Sequence, residues 1–214
     1  MSDLVLHGYW RSSAAYRVRI ALNAKGLDYS QVTHDLRKGA QRDPLYLDRA
    51  PHGLVPALEH DGQVLIESPA ILEWIEERWP KPALLPRHPY AAAVVRAMAA
   101  LIACDIHPLN NLRVLNALRN DFGASEQQVT SWITRWITSG FAALETLVSR
   151  HGGDFAFGDA LTLADCCLVP QLYSAERFAV DLSAFPHLVA AGSAARSLTS
   201  VAAAHPDAQP DADQ

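Results

Sequence analysis

Hydrophobic and polar positions change rhythm along the chain. Residues 4–6 form a short apolar run ending at Gly8, which predicts a buried strand. From Ser13 onward, Tyr16, Val18, Ile20, Leu22 and Ala24 follow the 3.6-residue period of a helix, and Gly26 stops it. On that pattern Arg17, Arg19 and Lys25 point away from the core. Residues 29–33 predict a second strand and 43–48 a short helix. Val55 and Pro56 then lead into residues 57–60, an Asp61–Gly62 turn and residues 64–66. Asp-Gly between two apolar runs signals a hairpin, because both turn residues take up the left-handed backbone such a loop needs. Ser68 reads as the N-cap of a helix with Pro69 at its first position and Ile71, Leu72, Ile75 and Trp79 as its apolar positions. The order β-α-β-α-β-β-α predicts an α/β domain over residues 1–80.

Pro80, Pro82, Pro86 and Pro89 are too dense for a helix or a central strand, and residues 81–89 read as a linker. Beyond it, residues 90–120, 125–151, 162–176 and 187–198 all carry helical spacing, so 90–214 reads as an all-helical domain. Within it Thr162 and Asp165 form a capping box, with Leu161 as a hydrophobic staple. The last ten residues, rich in Asp, Pro, Ala and Gln, are expected to fray.

Composition narrows the function. Eighteen Lys and Arg against 23 Asp and Glu leave a net charge of −5, which argues against a nucleic-acid partner. With 50% hydrophobic and only 19% charged residues, a sizeable core is expected rather than a disordered chain. The most apolar stretch, 91–106, is broken by Arg96, and Asp3 stands where a signal peptide would be cationic, so neither a membrane span nor a signal peptide is read. Cys104, Cys166 and Cys167 are too few and too unevenly placed for a disulfide framework, which suits a reducing cytoplasm. The nine histidines show no metal-ligand spacing, so no metal site is expected. No GxSxG elbow, P-loop or GxGxxG fingerprint occurs. What remains is Ser12 and Ser13, where the first strand hands over to the first helix. Backbone N–H groups at a helix start favour an anion, and a neighbouring hydroxyl adds a donor. From spacing alone, Ser12 reads more readily as an N-cap and nothing else, since Ser is among the preferred caps.

Longer motifs go further. RSSAAYRVRIAL from Arg11, LVPAL from Leu54 and ESPAILEWIEE from Glu67 resemble the thioredoxin-like domain of zeta-class glutathione transferases. ALIACDIHPLNNLRVL from Ala100 and FGDALTLADCCLVPQLYSAERFAVDL from Phe157 resemble the helical domain of the same class. The similarity covers residues 4–190 in order. Trp10, Arg11 and the run 104–108 are most similar to its bacterial branch of glutathione-dependent maleylpyruvate isomerases, with maleylacetoacetate isomerases as close relatives. The resemblance implies glutathione as cofactor. It makes Ser12 the hydroxyl facing the thiol, with Ser13 beside it; gives Val55, before a cis Pro56, the cysteinyl backbone; gives Glu67 and Ser68 the γ-glutamyl end; and adds Asn111. It assigns Arg11, Arg113 and Arg177, with His107, to the substrate. Ala14 and Ala15 stand where the family writes a cysteine or threonine and then a serine.

The implied reaction turns maleylpyruvate into fumarylpyruvate, or maleylacetoacetate into fumarylacetoacetate, during breakdown of aromatic acids. A thiolate adds to the cis double bond, the resulting single bond rotates, and elimination returns the thiolate. The protein has to lower the thiol pKa, hold a dianionic keto acid and stabilise an enolate, and guanidinium groups suit the last two tasks. Two other readings stay open: a zeta-like transferase or dehalogenase that consumes glutathione, and a non-catalytic glutathione-binding protein. The resemblance also implies a homodimer.

Overall fold

The computed structural model describes residues 4–213. It divides into two compact units: residues 4–84 with 196–213, and residues 85–195.

The first unit is built on four strands, β1 (Val5–Gly8), β2 (Ser30–Thr33), β3 (Ala57–His60) and β4 (Gln63–Ile66), in the order β2-β1-β3-β4. β1 and β2 are parallel with Val5 opposite Ser30; β3 runs antiparallel to both β1 and β4, with Leu6 opposite Leu58 and Leu58 opposite Leu65. A parallel pair needs a crossover, and helix α1 (Ser13–Ala24) supplies it. The hairpin forms at Asp61 and Gly62, with φ of 50° and 74°. A four-residue helix, α2 (Pro44–Leu47), capped by the Asp43 side chain, precedes β3, and α3 (Ser68–Arg78) follows β4. Leu6, Val18, Ile20, Leu22, Leu58, Ile71 and Ile75 are buried together with Ala15 and Ala21.

Three expectations are corrected here. Arg17 and Arg19 are 2% and 1% exposed, and Lys25 is buried as well. α1 packs against α3 and also against α9 (Thr199–Ala203), so almost its whole perimeter is covered. The charges stay because they are bonded: Arg19 to two backbone carbonyls, Arg17 to Ser68, and Lys25 to Glu76 and the Pro82 carbonyl. Second, Ser68 is the first residue of α3 rather than its N-cap. Glu67, at φ 68°, holds the cap position, and Ser68 turns its hydroxyl to Arg17. Third, residues 205–213 do not fray, and Gln214 lies outside the described residues. α9 and the turn 206–208 pack with the first unit, where Gln209, 7% exposed, donates to the carbonyls of Ala203 and His205.

The second unit is helical. α4 (Pro89–Ala100) runs into a π-helical segment, Leu101–Ile106, and a 3-10 turn, Pro108–Asn110, before α5 (Leu112–Asn120). Pro108 lacks the N–H that a continuous helix would use. By length and hydropathy residues 89–120 could cross a membrane, yet here α4 packs on α7 (Leu163–Arg177) and the π segment on α6 (Glu126–His151). Gly140 in α6 permits that approach: a Cβ there would stand 2.3 Å from Ile106. α8 (Pro186–Ser197) completes the set, its Gly192 facing Leu172 of α7. α7 is buried nearly all round and starts at the expected box, with Asp165 fully enclosed.

Candidate active site

β1 ends at Gly8, and the chain turns through Tyr9, Trp10, Arg11 and Ser12. The turn is closed by the Ser12 N–H donating to the Tyr9 carbonyl at 2.9 Å. Ser12 is extended (φ −69°, ψ 116°) and caps α1, its Oγ accepting from the Ala15 N–H at 3.2 Å. A hydroxyl used this way keeps its proton, so Ser12 still has a donor to offer beside the positive end of α1. Ser13 is the first helical residue. The Arg11 guanidinium lies 5.3 Å from the centroid of the Trp10 ring.

A second stretch runs from α2 to β3. The Val55–Pro56 peptide is cis. Pro56 is buried, and half-buried Val55 packs on Tyr46, Ala50 and Ala57. Tyr46 fixes the approach, since its hydroxyl donates to the Leu54 carbonyl at 2.6 Å; burial pushes this phenol's pKa up, so it stays a neutral donor. Behind it His34 packs on the Tyr46 ring at 4.0 Å and meets His7 at 3.0 Å, and burial lowers both imidazole pKa values.

The third stretch joins β4 to α3. The Glu67 carboxylate is exposed, with His52 Nε2 3.7 Å from it, while Ser68 is 3% exposed and its Oγ accepts from Arg17 Nη1 at 3.1 Å. A left-handed non-glycine residue is uncommon, and at Glu67 it turns the chain directly into the helix.

Sequence reasoning missed His52, Gln41 and Arg17. His52 Nδ1 and Gln41 Oε1 are buried polar atoms without a protein partner, and the backbone carbonyl of Gln41 lies 3.4 Å from where a Cβ on Gly53 would stand. Buried polar atoms are seldom left unpaired, so the loop before Val55 suits a polar ligand. A His-Gly pair ahead of the Pro56 loop was the signal available for His52; nothing local marks Arg17.

In the helical unit, His107 closes the π segment, its N–H donating to the Ile102 carbonyl at 2.9 Å, and is half-buried. Asn111 caps α5: its side chain accepts from the Arg113 N–H at 3.1 Å, and Arg113 is exposed. Arg177 is the last residue of α7, exposed, with its guanidinium 4.4 Å from the Phe178 ring centroid. Arg11, Ser12, Ser13, Val55, Pro56, Glu67 and Ser68 thus belong to the first unit, and His107, Asn111, Arg113 and Arg177 to the second. Among the described residues, no group of three or more His, Cys, Asp or Glu side chains is placed to hold a metal ion.

Family models for the glutathione S-transferase N-terminal and C-terminal domains match residues 2–77 and 130–206. A maleylacetoacetate isomerase of Pseudomonas aeruginosa is 49% identical over 96% of this chain and 97% of its own. The holo structure of a maleylpyruvate isomerase, described as a bacterial zeta-class glutathione S-transferase, superposes with a TM-score of 0.96 at 46% identity, over 98% of this chain and all of that one. A maleylacetoacetate isomerase of Methylobacterium extorquens AM1, solved with malonate and glutathione bound, gives 0.94 at 39% identity, over 98% and 100%. With this identity running nearly end to end, the chain belongs to the glutathione S-transferase family, in its zeta class.

Proposed function

We propose that this protein is a glutathione-dependent cis-trans isomerase of maleyl keto acids, maleylpyruvate and maleylacetoacetate being the substrate class. The observation that carries the reading is Ser12, capping α1 with one lone pair and keeping its proton free to donate, in a chain 46–49% identical over nearly its full length to isomerases of both names. Bound glutathione supplies a thiol whose ionised sulfur adds to the cis double bond and leaves again after rotation.

The chain's own residues supply the rest. The Ser12 hydroxyl and the N-terminal amides of α1 favour a negative sulfur; a hydrogen bond to a charged group is worth about 1.5–3 kcal/mol. Val55 offers its backbone to the cysteinyl part, and Ser68, at the start of α3, receives the γ-glutamyl carboxylate with Glu67 on the ammonium side. Arg11, Arg113 and Arg177, with His107, hold the substrate carboxylates and the developing enolate, because a guanidinium pairs with a carboxylate through two parallel bonds. Asn111, the cap of α5, joins the glutathione-binding set. We take the working form to be a cytoplasmic homodimer, which light scattering on the purified protein checks.

The test separates isomerisation from general conjugation. Arg177→Ala and Arg11→Ala remove charges that only a carboxylate-bearing substrate uses, and breaking a desolvated charge pair costs about 2–5 kcal/mol. Isomerisation of maleylpyruvate should fall severely in both variants, while conjugation of an uncharged aryl halide at the same glutathione concentration changes little. Equal losses on both substrates would point to damaged glutathione binding. An undiminished rate on the dianion would hand the protein to the conjugating reading.

A further inference from the structure

The Trp10 backbone is gripped on both of its peptide planes. Its N–H donates to Asp211 Oδ2 at 3.0 Å, and its carbonyl accepts from Arg19 Nη2 at 2.9 Å. Arg19, 1% exposed, also donates through Nε to the Ala204 carbonyl at 3.0 Å. Both grips therefore lead into one short run near the end of the chain. That run has its own anchors. Gln209 is bonded to the carbonyls of Ala203 and His205 and accepts from Gln31 of β2, and Asp213 pairs with Arg37, whose guanidinium lies 5.7 Å from the Tyr9 ring centroid.

The peptide planes on either side of Trp10 set its φ and ψ, the only soft backbone torsions at that residue. The first plane is held twice, since the Tyr9 carbonyl on it closes the turn by accepting from the Ser12 N–H. With Trp10 fixed, the direction in which the chain delivers Arg11 and Ser12 is fixed as well. The elements that fix it lie about 200 residues further on, held to the turn by a carboxylate and a buried guanidinium rather than by apolar packing alone.

We propose that residues 204–213 form a positioning strap for the turn that carries Arg11 and Ser12, with Asp211 as its positioning residue and Arg19 as the buried link. The proposal rests on Ser12 being the hydroxyl that faces the sulfur. Asp211 takes no part in the reaction; it holds a backbone N–H so that the hydroxyl two residues later stands where the sulfur is. Displacing a reacting group by about 1 Å costs on the order of 100-fold in rate, so a modest loosening of the turn is enough to show.

The experiment compares Asp211→Ala, Asp211→Asn and Ser12→Ala, each alone and with the alanine changes combined. The readouts are thermal melting, ultraviolet titration of the bound thiol, KM for glutathione and kcat for maleylpyruvate. Asparagine keeps a side-chain oxygen for the Trp10 N–H and drops the charge. Asp211→Ala should keep its melt, raise the apparent pKa of the bound thiol and lower kcat about tenfold or more, with KM for glutathione within about twofold of wild type. Asp211→Asn should restore both. In the double alanine variant the bound thiol should titrate no higher than in Ser12→Ala, because for the sulfur both changes act on one contact. A wild-type titration and kcat in Asp211→Ala overturns the strap alone. Asparagine behaving like alanine overturns it too, by making the charge rather than the held N–H responsible. A thiol titration unchanged from wild type in Ser12→Ala removes the Ser12 assignment itself, and the strap with it.

Discussion

Ser12 gives its accepting side to the Ala15 N–H and keeps its donating side for the ligand, so one substitution touches stability and chemistry together. Ser12→Ala should lower the unfolding free energy by about 0.5–2 kcal/mol through the lost cap. It should also raise the apparent pKa of bound glutathione's thiol. Ser13, the first residue inside the helix, caps nothing, and Ser13→Ala should leave both quantities near wild type. Denaturant melts and thiol titrations on the two single variants check this, and a titration shift in Ser13→Ala alone would move the role there. The Ser-Ser pair was visible in the sequence because a helix start follows a strand at that place. Arg17 and Arg19 were misread because a helix pattern treats charge as a mark of water. Their partners, Ser68, Trp10 and Ala204, include groups far away in sequence, and no local pattern carries that information.

Among the elements, periodicity found the strands and helices and missed how they join. The run 90–120 reads as one helix, yet it passes through a π segment and a 3-10 turn at Pro108, a break the proline announces and a period count averages away. The capping box of α7 was legible as four letters, but its burial was not. Asp165 Oδ1 accepts from the Ala156 N–H, and Oδ2 from the N–H and hydroxyl of Thr162, each at 2.8 Å. Burial outweighs these donors and raises the carboxyl pKa from 3.8 to about 6. The folded state then binds the proton more tightly than the unfolded chain. The resulting stabilisation is complete below about pH 4 and is lost as pH rises through about 6. The stability advantage of wild type over Asp165→Asn should be largest near pH 4 and shrink by up to about 3 kcal/mol by pH 7, since each pKa unit corresponds to about 1.4 kcal/mol. Urea melts across that range read it directly. An advantage that instead grows with pH would mean the three donors keep the carboxylate ionised.

At the scale of the molecule, the first unit is assembled from both ends of the chain, residues 4–84 and 196–213, and the helical unit is a single continuous piece, 85–195. The sequence divides at its prolines and gives no sign of this return, because α9 and the turn after it are too short and too rich in alanine to show a stripe of their own. The return has a consequence for ligand binding. The glutathione contacts proposed at Ser12, Val55, Glu67 and Ser68 all lie in the two-ended unit, so a ligand held there stabilises the N-terminal strands and the C-terminal residues as one body. Binding confined to the native state adds about 2.7 kcal/mol at a hundredfold excess over Kd. For a chain of this length that corresponds to a rise of about 5–10 °C in Tm, at about 2–4 °C per kcal/mol. Hydrogen exchange with and without glutathione should place the added protection in the turn 9–12, the start of α3 and, through Arg19 and Asp211, residues 199–211, with less change in the middle of α6. Ophthalmic acid, in which a methyl group replaces the thiol, should give most of the same protection away from Ser12, since the backbone and γ-glutamyl contacts are retained. An unchanged melt at saturating glutathione would remove the site from this unit, and protection confined to residues 85–195 would move it to the helical one.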